Sequence, residues 1–305
     1  MQGARADRGA YSDGAAFVDG RFVPVAEARV PILDWGFLRS DATYDVAHVW
    51  RGSFFRLEDH LDRFERGMER LRMGLPYDRE EVRGVLVECV RLSGLRDAYA
   101  EVVCTRGVPP PGSRDPRDCE NSLFAFVVPF VWIADPEKQE RGLHATISLV
   151  QRIGPEAVDP TVKNYHWLDL VSGLYEAYDR GGETVILVDS EDNVVEGPGF
   201  NVFAVKDGGI STPSRGVLEG ITRKTVFELA SEHGIPLEAR EVPADEVRGA
   251  EEVFLTSTAG GIMPVTTVDG EPVGNGAPGP FTLRLRDAYW ELHRDPRLAT
   301  LVRYY

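Results

Sequence analysis

The sequence predicts an α+β protein of two domains, and three observations carry that expectation. Its 305 residues are about twice a common single-domain length. Stretches of period-two and helical-period apolar residues follow one another without a regular βαβ alternation or an internal repeat. The run "ADPEKQERG" (134–142) is polar and contains proline, so it reads as a linker between a smaller N-terminal α/β domain (1–133) and a larger C-terminal domain (143–305).

Composition narrows the function classes. Hydrophobic residues at 43% and charged residues at 27% suit a soluble globular protein. A net charge of −15 argues against nucleic acid and against anionic membranes, because both are bound through Lys and Arg. Cys89, Cys104 and Cys119 show no C-x-x-C spacing, which points to reduced thiols of a cytoplasmic protein rather than a disulfide or metal framework. The opening "MQGARADRGAYSDG" shows no apolar secretory core, and the longest apolar run, "LFAFVVPFVWIA" (123–134), is too short for a bilayer and reads as a buried strand.

Taken in order, "FVDGRFVPV" is a hairpin turned by Asp19-Gly20. "TYDVAHVW" (43–50) alternates so that Tyr44, Val46, His48 and Trp50 share a face. Helical spacing follows over 58–72, with Leu61, Phe64, Met68 and Leu71 on one side, and again over 79–93. Strands near 98–105 and 121–131 flank "GVPPPGSRDPRDCEN", a loop long enough to serve as a lid. Beyond the linker come a strand (143–150), a helix reaching about Tyr178, the strands "TVILVD" and "NVFAV", and a helix from about Thr222. Strands near 237–240 and 252–257, the hairpin "TTVDGEPV" and a final helix complete the chain.

Chemistry concentrates in four places. Only four lysines occur among 34 Lys plus Arg, and Lys163 in "DPTVKNYHWLDL" stands apart because Val162, Tyr165, Trp167 and Leu168 surround it in sequence. An apolar setting favours a neutral amine, a nucleophile toward carbonyl cofactors; otherwise the side chain snorkels to water. In "GVLEGITRKTVFELASEHG" a helix begins at Thr222 with Arg223 and Lys224 against the dipole, so an anion at Ile221 and Thr222 would relieve the mismatch. Otherwise Thr222 is an ordinary N-cap. "LTSTAGGIMPV" sets Ser257 and Thr258 before a Gly-rich turn that can also bind an anion. Glu196 in "NVVEGPGFNVF" places a carboxylate where a pyridinium nitrogen could be held protonated. Arg63 lies on an apolar helix face and needs a partner, for which Asp59 one turn earlier could serve.

An amine, a phosphate cradle and a ring-nitrogen acid together describe pyridoxal 5'-phosphate. The chain resembles the fold type IV pyridoxal-phosphate aminotransferases, the class of branched-chain and D-amino acid aminotransferases, and within it the (R)-selective amine transaminases. The likeness runs from "VPILDWGFLRSDATYDVAHVWRGSFFRLEDHLDRF" through "DPTVKNYHWLDLV", "EGPGFNVF", "GVLEGITRK" and "TSTAGGIMPVTTVDGEPV". It implies that Lys163 carries the cofactor as an internal aldimine and shuttles the reacting proton, that Glu196 meets the ring nitrogen, and that Arg63, Ile221, Thr222 and Thr258 hold the phosphate. It also implies a homodimer, small amine and keto acid substrates, ping-pong half-reactions, and a substrate pocket lined by Tyr44, Tyr99, Glu101 and Trp167. Two arginines depart from the family pattern. Either Arg39 or Arg114 binds a substrate carboxylate, or Arg39 pairs with Asp41 and points away. The expected reaction is amino transfer from an (R)-amine or D-amino acid to a 2-keto acid. The alternatives are an aminodeoxychorismate-type lyase and a branched-chain L-amino acid aminotransferase.

Overall fold

The computed structural model describes residues 8–304, and the chain divides into two compact units. One contains the described residues up to Val131, the segment Val162–Tyr165 and the residues from His293; the other contains Trp132–Thr161 and His166–Leu292.

The first unit is an antiparallel sheet covered by helices. β1 (Ala15–Val18) and β2 (Arg21–Pro24) form the expected hairpin, with Asp19 and Gly20 at φ of 50° and 71°, the left-handed pair that matches strand twist in a two-residue turn. After α1 (Trp35–Arg39) come β3 (Ala42–Trp50), β4 (Ser53–Phe55), α2 (Leu57–Arg70), α3 (Arg79–Ser93), β5 (Ala98–Thr105) and β6 (Ser122–Pro129). They pair in the order β4-β3-β5-β6-β1-β2, and the C-terminal strand Ala299–Leu301 adds to the free edge of β4. Reciprocal bonds between Asp78 and Glu81 cap α3. Leu61 and Phe64 of α2 and Val82 and Leu86 of α3 pack on Ala47, Val49, Ala100 and Val102. The opposite face of the same strands carries Tyr44, Val46, Val103 and Phe124, so β3 is buried on both sides.

The second unit holds a nine-stranded mixed sheet. Its elements are α4 (Pro136–Arg141), β7 (Leu143–Gln151), α5 (Leu168–Asp179), β8 (Thr184–Val188), β9 (Glu196–Gly197), β10 (Phe200–Lys206), β11 (Gly209–Pro213) and α6 (Ile221–Glu232). β12 (Leu237–Arg240), α7 (Ala244–Arg248), β13 (Glu252–Ser257), β14 (Gly261–Val268), β15 (Glu271–Pro272) and α8 (Pro280–Leu292) follow. The main path is β12-β11-β10-β13-β14-β7-β8, with β9 beside β10 and β15 beside β14. β7 runs parallel to both β8 and β14, and β11 parallel to β12.

Three features differ from the expected organisation. Residues 134–142 do not stand apart as a linker. Asp135 caps α4, and the buried Gln139 amide donates to the carbonyls of Ala134 and Gly260, which ties the segment into the second unit. Lys163 and the residues after Leu292 belong to the first unit rather than to a continuous C-terminal domain. The apolar run 123–134 is a strand only as far as Pro129.

Candidate active site

In the first unit, Lys163 is placed by β3. Its carbonyl accepts hydrogen bonds from the Tyr44 N–H at 3.1 Å and the Thr43 hydroxyl at 3.0 Å. The half-buried side chain brings Nζ to 4.6 Å from the centre of the Tyr44 ring, and that ring stacks on Tyr165 at 4.3 Å with 4° between planes. The aromatic surroundings expected for Lys163 are therefore Tyr44 and Tyr165. Leu168 is 86% exposed on α5, and Trp167, half-buried, lies in the second unit.

Register brings the other tyrosines to the same face. Tyr44 opposes Val103, Val46 opposes Glu101 and His48 opposes Tyr99 across β3 and β5. The buried Glu101 carboxyl accepts from the Tyr165 hydroxyl at 2.6 Å and from the Tyr99 hydroxyl at 3.2 Å. Burial pushes Glu101 above the usual carboxylate range, opposed by those two hydroxyls and by the charge of Lys163. Burial and the neighbouring Glu101 push both phenols upward, so they remain donors.

Arg63 has a different partner from the one expected. Its Nε and Nη2 donate to the two oxygens of Asp45 at 2.7 and 2.9 Å, while Asp59 pairs with Arg56. His60 Nδ1 also meets Asp45, at 2.8 Å. Burial opposes ionisation of Asp45, but Arg63 and His60 outweigh it and hold the carboxyl well below its ordinary value. An i−4 acid on the helix surface loses to a strand acid because Arg63 points into the layer between α2 and β3.

Arg39 is exposed and lies flat on Trp35, its guanidinium carbon 3.4 Å from the ring centre. Asp41, the expected alternative partner, instead takes Arg106 through both oxygens. Arg114 is exposed in the loop between β5 and β6.

In the second unit, Glu196 opens β9 in the grip of two donors. Arg152 Nε approaches one oxygen at 3.2 Å, and the Leu218 N–H donates to the other at 3.0 Å. Arg152 also donates to Asp169 at 2.7 Å. Burial works against the charge on Arg152, but Glu196 and Asp169 outweigh it and raise its pKa. The carboxylate is thus paired and aimed, as a partner for a ring N–H must be.

Helix α6 begins one residue earlier than expected. Gly220 occupies the N-cap with no side-chain cap bond, and Thr222 sits inside the first turn. A Cβ there would press on Asn201 Oδ1, so a larger residue requires that side chain to move. The cap therefore leaves first-turn N–H groups for something else, which is how helix N-termini bind anions. Arg223 turns aside, donating to the Pro213 carbonyl over the Phe227 ring. At the β13 end, the Ser257 hydroxyl is used on the Gly199 carbonyl, and Thr258 follows it in the turn.

The residues fit pyridoxal phosphate on two observations of the fold itself. The cradle at Gly220 is one a Cβ would fill, and the Thr256 hydroxyl, buried nearby along β13, has no hydrogen-bond partner. Ile221, Thr222 and Thr258 would hold the phosphate and Glu196 the ring nitrogen. Sequence reading missed Arg152, Asn201 and Thr256, whose roles arise from cross-strand neighbours far away in sequence.

Comparison with known proteins points the same way. The family described as amino-transferase class IV matches residues 42–268. The branched-chain-amino-acid aminotransferase of Pseudomonas aeruginosa is 30% identical over 292 residues, covering 92% of this chain and 93% of that one. The D-alanine aminotransferase of Bacillus licheniformis is 29% identical over 272 residues, covering 88% and 94%. Among solved structures, the branched-chain aminotransferase of Thermobaculum terrenum in its pyridoxal-phosphate form superposes with a TM-score of 0.86 at 30% identity, covering 96% of this chain and 99% of that one.

Proposed function

The chain belongs to the class IV aminotransferases, a pyridoxal-phosphate family, and from that premise we propose that it moves an amino group from an (R)-configured primary amine or D-amino acid to a 2-keto acid. When bound, the cofactor supplies an electrophilic carbonyl carbon and a protonated ring that withdraws electrons from the reacting bond. Lys163 would hold that carbon, and its Nζ would carry the reacting proton. Glu196, paired with Arg152, would meet the ring nitrogen. Arg63, Ile221, Thr222 and Thr258 bind the phosphate. Tyr44, Tyr99, Glu101 and Trp167 line the donor.

The observation that carries the substrate assignment is Glu101 beneath its two tyrosine hydroxyls. Both tyrosine hydroxyls are already committed to Glu101, so a donor carboxylate brought against this wall would find its donors taken, which suits an uncharged substituent or a hydrogen-bonding one. Similarity to D-alanine aminotransferases supports the D-configured donor. The names of the branched-chain relatives favour a second reading, an L-amino acid donor with a branched side chain.

A homodimer is part of the proposal. On α5, Leu168, Val171, Tyr175 and Tyr178 recur at one-turn spacing and are all exposed, an apolar stripe that water disfavours. The free thiols Cys89, Cys104 and Cys119 agree with a reducing, cytoplasmic setting.

Single-turnover absorbance with both enantiomers of each donor tests the substrate. Plain (R)-amines and D-amino acids are expected to react faster than their mirror images, and faster L-leucine would establish the second reading. Lys163→Ala is expected to bind cofactor without turnover. Release of pyruvate without an amino acceptor would mark a lyase.

A further inference from the structure

We propose that the Thr256 hydroxyl is an additional donor to the cofactor's phosphate, a contact that rests on the pyridoxal-phosphate reading above. The case comes from the sheet. Glu196 of β9 pairs directly with Asn201 of β10, and Asn201 pairs directly with Thr256 of β13. Directly opposed residues point to one face, so these three side chains form a row across three strands.

Helix α6 covers that face, beginning at the row. Two residues along the strands from Asn201 and Thr256, Phe203 stacks on Phe254 at 4.8 Å, and Phe203 meets Phe227 of α6 at 6.5 Å. Phe227 lies six residues after Ile221, so following α6 back toward its start leads to Asn201 and Thr256. Asn201 confirms this, since its amide donates to Leu218 O at 2.9 Å and its Oδ1 abuts Gly220 at the cap.

Thr256 is 2% exposed, and its Oγ1 has no partner. Buried hydroxyls in folded proteins are nearly always bonded, so one left unpaired calls for an explanation. Here it stands on the face beneath an uncapped helix N-terminus, and the ligand chemistry common to both is a phosphate monoester dianion. The row also has suitable length. Strands lie about 4.8 Å apart, which puts Glu196 and Thr256 about 10 Å apart at the backbone. That separation suits a pyridine ring held at its nitrogen by one end and at its phosphate arm by the other. Arg223 Nε is unpartnered as well, but its guanidinium donates toward β11 on the far side of β10 and takes no part.

The test uses purified holoenzyme stripped of cofactor and retitrated, with wild type, Thr256→Val and Thr256→Ser compared. Pyridoxal phosphate should bind Thr256→Val about tenfold more weakly, the scale of one hydrogen bond to a charged group, while Thr256→Ser stays near wild type. Pyridoxal, lacking the phosphate, should bind all three alike. The stripped Thr256→Val protein should melt at or above the wild-type temperature, because an unpaired hydroxyl has been exchanged for a methyl group of equal size. Equal loss of pyridoxal and pyridoxal phosphate, or no loss of either, would overturn the contact. Wild-type protein that takes up no pyridoxal phosphate would overturn the functional reading along with it.

Discussion

Arg152 shows how much of the site's chemistry sits in residues that carry no sequence signal. Its guanidinium and the Glu196 carboxylate each expose only 9% of their side chains, so neither is solvated well enough to stand alone. Replacing Arg152 with Met strands a buried carboxylate. The expected cost is about 3–5 kcal/mol of unfolding free energy, read from urea denaturation. Amino transfer should slow in parallel, because Glu196 then loses the guanidinium that positions it toward a ring N–H. A loss below about 1 kcal/mol would mean that Leu218 N–H and water suffice to support the carboxylate. Lys163 and Glu196 were legible because each is an unusual residue for its surroundings. Arg152 in "VQRIGPE" is not unusual until the fold brings β7 and β9 together.

Among the elements, the start of α6 carries the most consequence. The sequence places the helix start within one residue and leaves Thr222 open between an anion contact and an N-cap; the structure puts Gly220 at the cap. The difference is chemical. A Thr cap would satisfy first-turn N–H groups internally, whereas a glycine cap leaves them to a ligand. Gly220→Ala is expected to push a methyl group into Asn201 Oδ1 and break the Asn201 bond to Leu218 O. Stability should fall by about 1–3 kcal/mol, and retention of pyridoxal phosphate on dialysis should fall with it. An unchanged holoenzyme would show that Asn201 can swing away freely. Strongly periodic elements such as α2, α3, β3 and β5 were legible to within a residue or two. The short ones, α1, α7, β4 and the strand Ala299–Leu301, were not, because three to five residues hold too little pattern and their strand or helix state depends on a neighbour.

At the scale of the molecule, the apolar stripe on α5 is the surface the proposed homodimer would use. Leu168, Tyr175 and Tyr178 are 86%, 66% and 54% exposed, more apolar surface along one helix face than a lone subunit usually leaves to water. A charge in the middle of that stripe should separate a dimer that depends on it. Tyr175→Glu is expected to shift the mass measured by light scattering from dimer toward monomer. A dimer unmoved by this change would place the interface elsewhere, with the exposed Ile32, Leu33 and Phe37 as the next surface to alter.

By itself the sequence determined the fold class, the family and the cofactor, and it nominated most of the residues proposed to hold that cofactor, because those depend on local pattern and on residue types that are costly to keep without a use. Tertiary structure decided the rest. It chose Asp45 over Asp59 for Arg63, placed Lys163 in the first unit, absorbed residues 134–142 into the second, and laid Glu196, Asn201 and Thr256 in one row. Each of these depends on strand register or on which face of a sheet a helix covers. Several of these choices join residues well separated along the chain, as Asn201 and Thr256 are, and a short window of sequence does not contain both partners.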